Sequence, residues 1–219
     1  MALAIFDLDN TLLGGDSDHA FGEFLIEENI VDADEHRLAN DRFYRQYTDG
    51  TLDIHEYLAF ALQPLKRFEP HQLEDLSLRF VDRKVRPLLL PKANELLRSH
   101  RERGDKLLII TATNRFVTEP IAHLLGVPDL IATEPEREKG RFTGRIVGTP
   151  SFQHGKIERL DEWLVENPQD LDGSYFYSDS MNDLPLLQQV EYPVAVNPDA
   201  RLRAYAEKAG WPILDLRGE

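Results

Sequence analysis

The sequence predicts an α/β protein: a parallel sheet covered by helices on both faces, interrupted after its first strand by a block of helices. Three observations carry this. Short, nearly continuous apolar runs recur at Ala2-Leu3-Ala4-Ile5-Phe6, Leu107-Leu108-Ile109-Ile110, Ser174-Tyr175-Phe176-Tyr177 and Tyr192-Pro193-Val194-Ala195-Val196. Such runs suit strands buried on both faces. Helical patterns lie between them, over residues 93–103, 115–125, 155–166, 183–189 and 200–208. That alternation argues for parallel strands joined by crossover helices. Residues 14–85 break it. They hold no convincing strand and read as amphipathic helices over 20–28, 35–47, 54–62 and 71–82, with turn signals at Asp49-Gly50 and Glu69-Pro70. An insertion there sits above the carboxyl end of the first strand, where open α/β sheets hold their ligands. Lys139-Gly140-Arg141, between two short runs, predicts a small hairpin.

The 219 residues suffice for one sizeable core or a core plus a small accessory domain. Acidic residues outnumber basic ones, 39 to 25, for a formal charge of -14. That field disfavours nucleic acid and anionic membrane surfaces. A small phosphorylated ligand meets the same repulsion, so an anion site here needs a local cation. Cysteine is absent, which excludes disulfides, thiolate nucleophiles and cysteine-zinc sites. The opening Met-Ala-Leu-Ala-Ile-Phe-Asp lacks the basic and long apolar regions of a signal peptide, and no apolar run approaches membrane-spanning length. The expectation is a soluble cytoplasmic protein.

The strongest local signal is Asp7-Leu8-Asp9-Asn10-Thr11-Leu12. Two carboxylates at i and i+2 after a strand leave the sheet edge into one crevice; alone, they equally suit a strand-ending turn. After the second strand, Thr111-Ala112-Thr113-Asn114 offers a hydroxyl and free amides to a phosphate, or simply an N-cap at Thr111 or Thr113. Lys156 opens a helix, where the macrodipole disfavours a cation. An adjacent carboxylate or phosphate is the expected compensation; otherwise Lys156 is a solvated surface lysine. Residues 148–156 differ from a P-loop in spacing, and Ile157 stands where Ser or Thr is required. Tyr177-Ser178-Asp179-Ser180-Met181-Asn182-Asp183 adds two carboxylates four apart, though Asp183 also fits a first helical turn. Hard oxygen ligands without histidine or cysteine suit magnesium. Phosphoryl transfer needs positioning, charge neutralisation and a proton shuttle, and aspartate is a known nucleophile for it.

Asp7-Leu8-Asp9-Asn10-Thr11, Thr111, Lys156 and Ser178-Asp179-Ser180-Met181-Asn182-Asp183 resemble, in order and spacing, the four motifs of the haloacid dehalogenase-like (HAD) superfamily. The resemblance covers nearly the whole chain. It implies a Rossmann-like parallel-sheet core, residues 1–13 and 86–219, and an inserted helical type-one cap, residues 14–85. The stretch from Thr133-Glu134 through Phe142-Thr143-Gly144 to Lys156 is similar to the branch holding phosphoserine and histidinol-phosphate phosphatases. The opening Asp9-Asn10-Thr11-Leu12-Leu13 with Gly15-Asp16-Ser17-Asp18 resembles the bacterial histidinol-phosphatase-like group.

The resemblance implies these roles. Asp7 attacks phosphorus, and Asp9 protonates the leaving oxygen and later activates water. Thr111, with the amide at Ala112, and Lys156 hold phosphoryl oxygens. Asp7, the Asp9 backbone carbonyl and Asp179 bind magnesium, and Asp183 orients metal-bound water or Lys156. Asp16 corresponds to the acid that holds the substrate amine in phosphoserine phosphatases. Their carboxylate-binding arginine corresponds to Ala61, which lowers phosphoserine as a substrate. Residues 14–19 should face the site, with Gly14 and Gly15 permitting movement. Asp16, Asp18 and His19 form a negative rim that attracts a substrate with an ammonium group. Among the remaining histidines, His36, His55, His71, His100 and His123 read as surface or packing residues, and Trp163 and Trp211 as packing. The implied function is hydrolysis of a small phosphorylated metabolite carrying an amine, histidinol phosphate foremost. Phosphoserine or another phosphomonoester, a phosphotransferase and a phospho-acceptor signalling domain are the alternatives.

Overall fold

The computed structural model describes residues 2–218. All of strand β1 (Leu3–Phe6) is buried, and its side chains alternate between two apolar layers. Ala4 and Phe6 join one cluster, Leu3 and Ile5 the other. Strand β2 (Lys106–Asn114) divides in the same way, with Leu107 and Ile109 on one face and Leu108 and Ile110 on the other. A strand with apolar residues at every position can therefore be satisfied only between two layers of helix.

The insertion after β1 carries α1 (Ser17–Glu27), α2 (Ala33–Asp49), α3 (Ile54–Leu62) and α4 (Pro70–Phe80). The rest alternates: α5 (Pro91–Glu102), β2, α6 (Arg115–Leu124), β3 (Leu130–Glu138), β4 (Arg141–Val147), α7 (His154–Glu166), β5 (Tyr175–Ser178), α8 (Leu184–Leu187), β6 (Tyr192–Val196), α9 (Ala200–Ala209) and β7 (Ile213–Leu214). The strands form one sheet in the order β4-β3-β2-β1-β5-β6-β7, parallel except for the β3–β4 pair. Residues of α5 and α6 join one cluster, and residues of α7, α8 and α9 the other. Chain order reverses at β1, between β2 and β5, and the crevice beyond such a switch point is where open α/β sheets bind ligands. Phe21, Phe24, Leu62, Leu76 and Phe80 of the insertion belong to the same cluster as Phe6 and Ile109, so the insertion's core runs on into one face of the sheet. Trp163 and Trp211 pack against the opposite cluster. Among the described residues no helix is long and apolar enough to cross a membrane.

Several boundaries differ from the sequence reading. Strand β2 continues through Asn114, and Asn114 is the N-cap of α6, not Thr111 or Thr113; its side-chain oxygen accepts the Val117 amide at 3.4 Å. The expected helix over 183–189 is a 3-10 turn (Met181–Asp183) followed by the single turn of α8, because the Asp183 carboxylate bonds elsewhere and leaves the turn uncapped. Helix α4 stops at Phe80 and passes through a π-helical turn (Val81–Val85). Strand β3 went unread because only Leu130 to Thr133 is buried; its charged second half forms the hairpin with β4. Gly14 and Gly15 are held rather than loose: the Gly14 amide donates to Leu88 O at 2.7 Å, and an added Cβ at either would lie 3.1–3.2 Å from Leu88 or Leu90.

Close approach also governs Gly155, the second residue of α7. A Cβ there would lie 2.0 Å from the Pro150 carbonyl oxygen. Backbone cannot yield as a side chain does, so Gly155→Ala is expected to destabilise the fold by about 1–3 kcal/mol and to shift the start of α7. Urea unfolding checks this, and an unchanged midpoint would show that the 150–155 loop adjusts freely.

Candidate active site

β1 ends at Phe6, and the Asp7 amide continues the sheet by donating to Tyr177 O of β5 at 2.9 Å. The Asp7 side chain thus emerges at the carboxyl edge of the central strand. Lys156, in the first turn of α7, meets it there: Nζ donates to Asp7 Oδ1 at 2.7 Å and to Asp183 Oδ2 at 2.8 Å. All three side chains are buried. The cation at the helix N-terminus is compensated by two carboxylates, as the macrodipole argument required. Ser178 Oγ also donates to Asp183 Oδ2, at 2.7 Å, which fixes that carboxylate behind the lysine.

Asp179 follows β5 directly. Its amide donates to Thr11 Oγ1 at 3.1 Å, and the same hydroxyl stands 3.2 Å from Asp179 Oδ1 and 3.3 Å from Asp7 Oδ2. Thr11 therefore spaces the two carboxylates. It lay inside the first motif, but nothing in its spacing assigned it that task. Asp9 points to another partner set. Its Oδ1 accepts the Ser17 amide at 2.7 Å, and its Oδ2 accepts the Thr113 hydroxyl at 2.9 Å. One catalytic candidate is thereby tied both to the insertion and to β2. The β2–β3 register shifts between Ile110 and Asn114, which brings a bulge to Thr111, Ala112 and Thr113 at this edge.

A narrow cleft, with about 50 Å³ of open space, lies over Asp7 and Asp9. Thr111, Ala112 and Thr113 line it from the sheet, and Asp16, Asp18 and His19 from the insertion. Lys156, Asp179 and Asp183 are buried and do not line it. On α3 the lining residues are Ile54 and Tyr57, whereas Ala61 does not line the cleft. The aromatic residue that α3 brings to the cleft is therefore Tyr57. Tyr44 and Tyr47 of α2 complete a ring-rich wall that the sequence reading missed; their three-residue spacing on one helical face was the available signal. The end of α2 docks on the catalytic loops. Asn182 Nδ2 donates to Tyr47 O at 3.0 Å, and Gln153 Nε2 donates to Asn182 Oδ1 at 3.3 Å. His19 lies on the rim, its Nε2 3.3 Å from Asp41 Oδ1. His100 is fully buried between Asp105 and the Tyr177 hydroxyl, a packing role.

The electrostatics follow from burial. It pushes Asp7 and Asp9 up to about 7 and Asp18 up to about 8. Burial, then Asp7 and Asp183, push Asp179 well above the carboxylate range. Burial opposes the charge on Lys156, yet Asp183 and Asp7 together hold its pKa above the ordinary lysine value. One shared cation stays charged and leaves neither carboxylate fully compensated. Asp7 and Asp179 thus form a buried, electron-rich pair of hard oxygen donors with excess negative charge, which suits a hard divalent cation. Among the described residues no three His, Cys, Asp or Glu side chains close into a cage. Magnesium needs none, since it keeps waters and takes phosphate oxygens beside one or two carboxylates.

Residues 4–188 match the haloacid dehalogenase-like hydrolase family. The chain belongs to that family. It is 46% identical to the histidinol-phosphatase of Neisseria meningitidis serogroup C, over 98% of this chain and 99% of that one. It is 32% identical to a phosphoserine phosphatase of Mycobacterium tuberculosis, over 99% of this chain and 71% of that one. A crystal structure of a protein of unknown function from Bordetella pertussis superposes with a TM-score of 0.92 at 43% identity, covering 98% of each chain. A substrate-bound phosphoserine phosphatase gives 0.70 at 18% identity, covering 99% of this chain and 95% of that one, which shows the shared fold.

The raised carboxylates of this HAD hydrolase make its stability depend on pH. A carboxyl whose folded pKa exceeds its unfolded value contributes stability below the unfolded pKa and loses it as pH rises through the folded one. Asp7, Asp9 and Asp18 place that loss below about pH 8. Burial lowers His100, whose contribution has the opposite sign and fades only below about pH 6.5. The metal-free protein is therefore expected to lose thermal stability from about pH 6.5 to 8. Melting curves in chelator check this, and a midpoint that rises over that interval would mean these carboxylates are solvated.

Proposed function

We propose that the chain is a magnesium-dependent phosphomonoesterase that works through an aspartyl-phosphate on Asp7. The observation that carries this reading is the buried Lys156 bonded to Asp7 at the carboxyl end of the central strand, with Asp179 beside it. Residues 1–13 and 86–219 act as the catalytic core, and residues 14–85 as a cap over it. Asp7, Asp179 and the Asp9 carbonyl would hold the metal, which supplies charge neutralisation to the phosphoryl oxygens. Lys156, the Thr111 hydroxyl and the Ala112 amide hold those oxygens in line with the nucleophile.

A carboxylate oxygen of Asp7 attacks phosphorus, and the bond from phosphorus to the substrate oxygen breaks as Asp9 gives that oxygen its proton. Asp9 then takes a proton from water, whose oxygen attacks phosphorus and releases Asp7. A pKa of about 7 lets Asp9 serve in both directions near neutrality. A phospho-acceptor signalling domain should hold its phosphate, and an acid/base at Asp9 works against that. A phosphotransferase differs only in whether an alcohol replaces water.

Histidinol phosphate is the proposed substrate. The name of the Neisseria relative supports it, and so does the charge of the cleft. Asp16 and Asp18 face the space above Asp7 and attract a cation at the far end of a phosphomonoester. The carboxylate of phosphoserine would face those acids, and like charges across a site cost affinity. With magnesium, histidinol phosphate is expected to exceed phosphoserine in kcat/KM, and Asp7→Asn should reduce phosphate release to near background in a folded protein. The reverse preference would return phosphoserine to first place, and an active Asp7→Asn enzyme would remove the covalent mechanism.

The two acids separate by leaving group. Asp9→Asn should cost roughly 10²–10⁴-fold on an alkyl phosphate and less on nitrophenyl phosphate, whose leaving group needs little protonation. Equal losses on both substrates would mean that Asp9 is not the proton donor.

A further inference from the structure

Asp16 and Asp18 lie two residues apart, but their bonding differs. Asp16 is the N-cap of α1, and its Oδ1 accepts the amides of Asp18 at 2.9 Å and His19 at 2.8 Å. The helix terminus thus offsets its charge. Asp18 lies in the first turn, and it shares the cleft wall with Tyr57 of α3. Burial, and then Asp18 itself, keep the Tyr57 hydroxyl protonated well above the usual tyrosine range. A neutral phenol beside the carboxylate leaves its charge uncompensated. Among the ion pairs of the described residues, none includes Asp18. No cation among the described residues faces Asp18, and a cationic ligand in the cleft would favour its charged form against the burial and the Asp16 charge that raise it.

The neighbouring wall narrows the kind of cation. Tyr44 and Tyr57 line the same cleft, and the Tyr57 ring is braced edge-on by Phe43, 5.2 Å between centroids. A flat cation can donate a charge-assisted hydrogen bond to Asp18 and also lie against these rings, whereas a compact, strongly hydrated ammonium uses only the first. The ring wall comes from the α2 and α3 helices of the insertion, so the phosphate site and this subsite stand on separate segments of the chain.

We propose that Asp18, with the Tyr44 and Tyr57 rings beside it on the cleft wall, is the specificity determinant of the cleft and receives a planar nitrogen cation, of the imidazolium kind, at the end of the substrate remote from the phosphate. This rests on the phosphomonoesterase reading above and deepens it. Asp16 serves mainly to cap α1, and selectivity for the ring lies with Asp18.

The test compares three esters in wild type, Asp18→Asn and Tyr57→Phe: histidinol phosphate, ethanolamine phosphate with its aliphatic ammonium, and phenyl phosphate with a neutral ring. Asp18→Asn is expected to raise KM for histidinol phosphate at least tenfold more than for phenyl phosphate, with kcat for histidinol phosphate held within about threefold. Tyr57→Phe should shift the same ratio in the same direction by less. Equal changes on all three esters, no change, or a greater loss on ethanolamine phosphate than on histidinol phosphate would each overturn the assignment. Calorimetric binding of histidinol to wild type and to Asp18→Asn gives a readout independent of turnover: at least tenfold weaker binding in the variant supports the subsite, and equal binding overturns it. That measurement stands even if Asp7→Asn proves active, an outcome that would remove the catalytic reading alone.

Discussion

The buried contact between Lys156 and the carboxylates of Asp7 and Asp183 is the constraint on which the rest of the site depends. Its members are far apart in sequence, 149 residues between Lys156 and Asp7. They meet only if β1, the turn after β5 and the start of α7 are all in place. Removing one partner from a buried ion pair typically costs about 3–5 kcal/mol, because the remaining charge stays in a low-dielectric interior. The contact is therefore also structural. It couples correct assembly of three segments to the placement of Asp7. A single lysine between two carboxylates also leaves negative charge over, and that surplus makes the pocket receptive to a metal and a phosphate together.

Concentrated acidity has a structural consequence. Asp7, Asp9, Asp16, Asp18 and Asp179 are all pushed upward by burial first, and in each case a neighbouring carboxylate adds to the rise. A chain selected for stability alone would not gather them at one sheet edge. The surroundings hold Asp179 and Asp9 with hydrogen bonds from Thr11, Thr113 and Ser17, each of which orients a carboxylate without discharging it. Perturbed groups that converge on one cleft are the signature of a functional site. The adjoining apolar cluster, continuous from the sheet into the helical insertion, provides the stability that such a site lacks.

The insertion is joined to the catalytic loops by more than its two linkers. Asn182, between Asp179 and Asp183 in the chain, bonds the last turn of α2, and Arg201 at the start of α9 reaches the Asp49 carbonyl at 3.4 Å. Gly50, at a left-handed φ of 74°, ends α2 against both side chains. Carbonyls in the last turn of a helix have lone pairs to spare, and they accept these donors. The cleft wall formed by α2 is thus registered against the loop that carries Asp179 and Asp183.

Much of this was legible in the amino-acid order because strand-end chemistry is local. An apolar run that ends in Asp7-Leu8-Asp9, or in Ser178-Asp179, fixes where a carboxylate leaves the sheet, and apolar periodicity fixes the alternation of strand and helix. Lys156 could be singled out because a cation at a helix start demands a partner. Sequence alone could not say that the partners were Asp7 and Asp183, that the Asp9 carboxylate turns toward Thr113 and Ser17, or that Tyr57 rather than Ala61 lines the cleft. Those outcomes depend on the packing of segments distant in the chain. The sequence determined which groups stand at the sheet edge, since backbone period and turn chemistry act within a few residues. Tertiary structure decided which of them touch, because a hydrogen bond or ion pair forms only where separate elements are brought within about 3 Å.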